Sequence, residues 1–231
     1  MKKLFIVMMA MAMVVGFYGY LYASGSGAGL KNSPHDFSAA ANTWNHRTGE
    51  MCRVCHVPHD HGRTLATQAA LGTSGLLWNR TLSVVDYTLY SSPTLTGAIG
   101  QPTGTAKMCL GCHDGTVALQ AFDSGGVGTT YIQNIDADYR VPSIDNGTNL
   151  KGTHPISIVY DESDLGLVGI LGTAIGGETL ANVLDGGKVQ CSSCHDVHDS
   201  PGESVNGTHL LRVQNNDTAN PSGLCVVCHA K

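Results

Sequence analysis

The pentapeptide Cys-x-x-Cys-His occurs four times in this 231-residue chain, at Cys52–His56, Cys109–His113, Cys191–His195 and Cys225–His229. All eight cysteines fall in these boxes and none is left over. A disulfide framework or a zinc site has no reason to place histidine after every cysteine pair, and a lone C-x-x-C could equally serve thioredoxin-like redox chemistry. The spacing suits a c-type haem: two thiols three positions apart reach the two vinyl groups of one porphyrin, and the next residue puts an imidazole under the iron. The sequence therefore predicts four covalently bound haems on Cys52, Cys55, Cys109, Cys112, Cys191, Cys194, Cys225 and Cys228, with His56, His113, His195 and His229 as proximal ligands.

Such a protein has to mature outside the cytoplasm. Met1-Lys2-Lys3 followed by apolar residues to about Ala23 reads as a secretory signal, with Leu21-Tyr22-Ala23 as an imperfect cleavage site; the same run is long enough to serve as an uncleaved anchor. Both readings export the rest and place the protein at the cell surface or outside it, or alternatively in the periplasm. Without Lys2 and Lys3, 11 basic residues face 18 acidic ones. That balance argues against nucleic acid or an anionic membrane as the main partner. Only 13% of residues are charged and 6% aromatic, while 29 are glycine. The expected fold is a coil-rich multihaem cytochrome, with few short helices and small strands, whose two dihaem modules wrap four haems. The organisation expected is a signal peptide over 1–23, an arm and first dihaem module over 24–124, a connecting region supplying a distal ligand over 125–190, and a second dihaem module over 191–231. Within it, 84–90 has the bias of a short strand, 116–122 of a helix continuing from the second box, and 156–160 of a small strand.

An internal repeat supports the two modules. Cys-Arg-Val-Cys-His-Val-Pro-His (52–59) and Cys-Ser-Ser-Cys-His-Asp-Val-His (191–198) each precede an acidic residue, a Leu-Leu pair (Leu76-Leu77 and Leu210-Leu211), an arginine and a second box.

The sixth ligands decide the chemistry, since Met/His ligation raises potential, bis-His ligation lowers it and an open position permits catalysis. Five of the seven methionines lie in the signal, and Met51 and Met108 directly precede a box, on the proximal side of their own haems. Seven histidines lie outside the boxes: His35, His46, His59, His61, His154, His198 and His209. His59 and His198 follow a proximal histidine by three residues, which span at most about 10 Å. Neither easily rounds its own porphyrin, so each is expected to cap a neighbouring haem: His59 the one at His113, His198 the one at His229. His35 and His154, upstream of boxes one and three and stiffened by adjacent prolines, are the expected caps for those two, with His209 and His46 in reserve.

Ser-Pro-His-Asp (33–36), Cys-His-Val-Pro-His (55–59), Leu-Leu-Trp-Asn-Arg (76–80), Cys-Leu-Gly-Cys-His-Asp-Gly-Thr (109–116), Thr-His-Pro-Ile-Ser (153–157) and Cys-Ser-Ser-Cys-His-Asp-Val-His (191–198) together resemble the tetrahaem extracellular cytochrome filament family of the OmcE type, within the doubled C-x-x-C-H superfamily. The resemblance covers most of 33–229. It implies bis-His ligation throughout, and identical subunits stacked head to tail into a conductive filament. It also implies one distal ligand donated by an adjacent subunit, and His35, near the mature N-terminus, is the residue expected to cross. The expected function is long-range electron transfer, without enzymatic chemistry, to redox partner cytochromes or extracellular acceptors. A periplasmic tetrahaem shuttle and a membrane-anchored tetrahaem quinol dehydrogenase are the alternatives. A multihaem reductase would need a vacant iron, and no atypical box points to one.

Overall fold

The computed structural model describes residues 30–31, 33–38, 42–58, 77–123, 134–141, 147–169, 173–175, 178–198, 210–213 and 223–230. The segment read as a signal lies outside them, and no helix among the described residues is long and apolar enough to cross a membrane. The architecture is coil-rich. One helix of three turns, α1 (Gly104–His113), carries the second box. Single turns α2 (Leu180–Val183), α3 (Cys191–Cys194) and α4 (Gly223–Val226) follow, the last two carrying cysteines of boxes three and four. Two antiparallel ladders of two residues each pair β1 (Ile158–Val159) with β4 (Lys188–Val189) and β2 (Ala174–Ile175) with β3 (Glu178–Thr179).

The elements are short because the apolar clusters they pack are small. One cluster joins Tyr160, Ile175, Leu180, Val183 and Leu184; the other joins Tyr87, Leu110 and Leu150. Isolated bridges and side-chain contacts carry the remaining order. The extended stretch expected over 84–90 makes only one bridge, Thr88 to Asn149, with Thr88 donating to Thr148 O and accepting from Leu150 N, both at 2.9 Å. The small strand expected within 156–160 is β1. The helix expected to continue over 116–122 does not form. Asp114 caps α1, and its carboxylate turns back to accept from Thr116 N at 2.7 Å, drawing the chain into turns.

The N-terminus of α1 is fixed from a distance. Asp185 Oδ2 accepts from Thr105 N at 3.0 Å, placing a carboxylate on the helix's free amides. Gly104, at φ +50°, lies so close beneath that carboxylate that a Cβ there would overlap it. Thr105 Oγ1 also lies 2.7 Å from Ser192 Oγ, so the helix of box two rests on the turn of box three.

The repeat appears as a shared joint, offset by one residue from the Leu-Leu alignment. In the first module Val57 N donates to Leu77 O at 3.0 Å and Asn79 N to Cys55 O at 2.8 Å; in the second Asp196 N donates to Leu210 O at 2.8 Å and Arg212 N to Cys194 O at 2.9 Å. Leu77 therefore corresponds to Leu210 and Asn79 to Arg212. The backbone confirms the register, since Leu77 (φ +59°) and Leu210 (φ +54°) both take the left-handed conformation that a leucine rarely adopts. The alignment of paired leucines fails because the joint is read by carbonyls and amides, not by side chains.

Candidate haem-binding site

None of the eight cysteines forms a disulfide. Burial pushes the Cys55 thiol up to about 12 and the Cys194 thiol to about 11, while Arg80 pulls the first down and Arg212 the second. The boxes sit close together: Cys109 and Cys191 share a side-chain hydrogen bond, which with burial raises the Cys109 thiol. A cavity of about 350 Å³ beside the first box is lined by Glu50, Met51, Cys52, Arg53, His56 and Pro58.

Three of the four box histidines face a histidine from outside a box. The ring centroids of His113 and His35 are 6.0 Å apart, those of His56 and His198 6.0 Å, and those of His229 and His154 6.3 Å. These separations are too long for ring stacking, and they fit a shared metal. A metal–imidazole bond is about 2.0–2.1 Å and the nitrogen lies roughly 1.1 Å from its ring centroid, so two imidazoles on opposite sides of one iron have centroids about 6 Å apart. Among the described residues, no three His, Cys, Asp or Glu side chains gather into one metal-holding group. The imidazoles come in twos, as a pair of residues that would hold one haem iron between them.

The surrounding groups fix the tautomers of two of these rings. His113 Nδ1 lies 2.8 Å from the carbonyl of Tyr139 and His154 Nδ1 3.0 Å from that of Pro155. A carbonyl accepts only from N–H, so each contact puts the proton on Nδ1 and leaves the Nε2 lone pair for a metal. The strap at Tyr139 is secured by Val141 N donating to His113 O at 2.6 Å. Burial, with His113 and His195 nearby, lowers His35 to about 4, which keeps its imidazole in the neutral, ligating form.

The pairing differs from the one expected. His198 faces His56 and not His229; His154 faces His229 and not His195. His35 faces His113 of its own chain and not His56. The cause is spatial. The turn of box three packs on α1, which brings the segment following His195 toward the first module rather than toward box four. His59, His61 and His209 lie outside the described residues, and with them the expected pairing of His59. His46, held in reserve as a ligand, instead stacks on Phe122, with centroids 4.2 Å apart at 17°, and stands 3.6 Å from Asp123.

Asp123, which no motif marks, organises the flank of the first box. Its side chain is 2% exposed and accepts from Arg47 Nε at 2.7 Å, Arg53 Nε at 3.0 Å and Asn79 Nδ2 at 3.0 Å. Burial alone would raise its carboxyl, but the hydrogen bonds from Asn79, Arg53 and Arg47 outweigh that and hold it well below the usual carboxylate range. No family model matches the chain, and no curated protein matches it significantly.

Proposed function

We propose that this chain is an exported tetrahaem c-type cytochrome that carries electrons, with bis-His ligation and no substrate chemistry, and that its copies assemble head to tail into an extracellular filament. The observation that carries the reading is the set of three histidine pairs, each joining a box histidine to one outside the boxes at 6.0–6.3 Å. Haems bound at these positions would supply a reversible one-electron Fe(III)/Fe(II) couple. The chain's own part is to hold them. Eight cysteines would provide thioether anchors, His56, His113 and His229 with His198, His35 and His154 would hold the irons, and the carbonyls of Tyr139 and Pro155 fix the tautomers of His113 and His154. His195 would be the fourth proximal ligand, and His59 the cap assigned to it once His35, His154 and His198 are taken. An iron closed on both sides exchanges electrons without binding substrate. The contact of box two with box three joins the two modules into one conductor.

The filament rests on the family resemblance. A discrete carrier is the second reading, favoured by His35 facing His113 within its own chain. Cryo-electron microscopy of material sheared from cells separates the two. Filaments with four haems per subunit would support the polymer; only single particles, with every iron capped within one chain, would sink it. A mass lacking four added haems would sink both.

A further inference from the structure

One buried charge is not used by the arrangement described so far. Arg80 is 4% exposed, the one cation among the described buried residues. Its guanidinium donates to the carbonyls of Leu119 at 2.9 Å and Ala118 at 3.1 Å, while Nε is buried without a hydrogen-bond partner. No carboxylate among the described residues lies within ion-pair distance of it. Isolated buried charges are costly and are normally paired.

Its position is fixed by its neighbours. Asn79 N is bonded to Cys55 O, and Thr81 O lies so near α1 that a Cβ on Gly111 would meet it at 3.2 Å. Arg80 is thus held between the first and second boxes. Other arginines beside boxes are neutralised: Arg47 and Arg53 by Asp123 and Glu50, and Arg212 by Asp196 at 3.0 Å. The second box has a buried carboxylate of its own in Asp114, bonded to Tyr87 Oη at 2.6 Å, so there the two signs meet. Among the described residues the first box has no such offset, because the charges of Arg47, Arg53, Asp123 and Glu50 balance among themselves.

We propose that Arg80 is a potential-setting residue: its buried charge, which no carboxylate among the described residues pairs, raises the reduction potential at the first box above that at the third, where Arg212 is paired with Asp196. Oxidation adds one positive charge to the centre, and a fixed cation in a poorly screened interior disfavours that state. This inference rests on the tetrahaem reading. Electrons entering a partly oxidised protein would then collect at the first box rather than spread evenly.

The test is a potentiometric titration of the full-length holoprotein, followed by haem absorbance. Arg80→Gln should shift one component about tenfold toward the oxidised form at fixed potential, equivalent to about 59 mV for one electron. Arg80→Lys, which keeps the charge, should stay close to the parent. Asp196→Asn uncovers Arg212 and should shift a different component about tenfold toward the reduced form, so the proposal remains testable if Arg80→Gln fails to retain four haems. Unmoved components in either neutralising variant, or a lysine variant displaced as far as glutamine, would overturn it. Failure of the underlying reading is distinct: the parent protein itself would carry no covalent haem by mass.

Discussion

The two modules share a backbone joint and close it in opposite ways. In both, the side chain two residues beyond the left-handed leucine donates to the carbonyl of the box's second residue: Asn79 Nδ2 to Arg53 O at 2.5 Å, and Arg212 Nε to Ser192 O at 2.8 Å. In the second module the same arginine then pairs with Asp196, 16 positions away. In the first, Asn79 carries no charge and reaches Asp123 instead, on which Arg47 and Arg53 converge from 76 and 70 positions away. The repeated geometry thus lies in the main chain, while the charges that secure it have diverged. One module is closed locally and the other by a distant part of the chain.

The largest expected effect breaks the cross-connection between the modules. His198→Ala should create one CO-binding iron, seen in the reduced absorbance spectrum. In a chain whose first box is removed by Cys52→Ala and Cys55→Ala, adding His198→Ala should create none, because its partner His56 would no longer hold a haem. A CO-binding iron appearing in that background would return His198 to a haem within its own module.

The next effect compares the two anchoring carboxylates. Asp123→Asn removes the carboxylate on which Arg47, Arg53 and Asn79 converge and should lower the denaturant midpoint by more than the loss of a single-partner carboxylate does. Asp196→Asn removes the partner of one arginine only and should lower the midpoint less. Equal losses would remove the distinction between distant and local closure.

The pH dependence sharpens the same contrast. Asp123 is held below its unfolded value, so its contribution is fully present above the ordinary carboxylate pKa of about 3.9 and is lost as the pH falls through and below it. Stability should therefore decline below about pH 4 in the parent, and that part of the decline should be missing in Asp123→Asn.

The smallest effect concerns the shared leucines. Glycine at either position relieves about 1 kcal/mol of left-handed strain. Leu210 is buried, so Leu210→Gly should still lose about 2 kcal/mol through lost packing, whereas Leu77→Gly, only partly buried, should fall within about 1 kcal/mol of the parent. Thermal melts of the two variants measure the difference.

The boxes and the histidine inventory were legible because the covalent attachment proposed for them would demand a fixed spacing of neighbouring residues. Which histidine faces which was not, since His56 and His198 meet only through the packing of box three on α1, and short-range spacing carries no record of that contact. The register of the repeat was missed by one residue because Leu76-Leu77 and Leu210-Leu211 look alike while the hydrogen bonds select Leu77 and Leu210. Asp123 and Arg80 stand in no motif. Their importance comes from burial, and a carboxylate or guanidinium reads the same in sequence whether it is solvated or enclosed.

The distance in sequence between Asp123 and its arginines also imposes a schedule. A chain made from its N-terminus presents Cys52, Cys55 and His56 nearly seventy residues before the carboxylate that fastens their flank has been synthesised. Throughout that interval Arg53 has only Glu50 to pair with, and the flank of the first box stays open. The second module holds its own carboxylate one residue past His195 and can fasten as soon as Arg212 follows. Growth from one end thus leaves the flank of the first box unfastened for longer than that of the third.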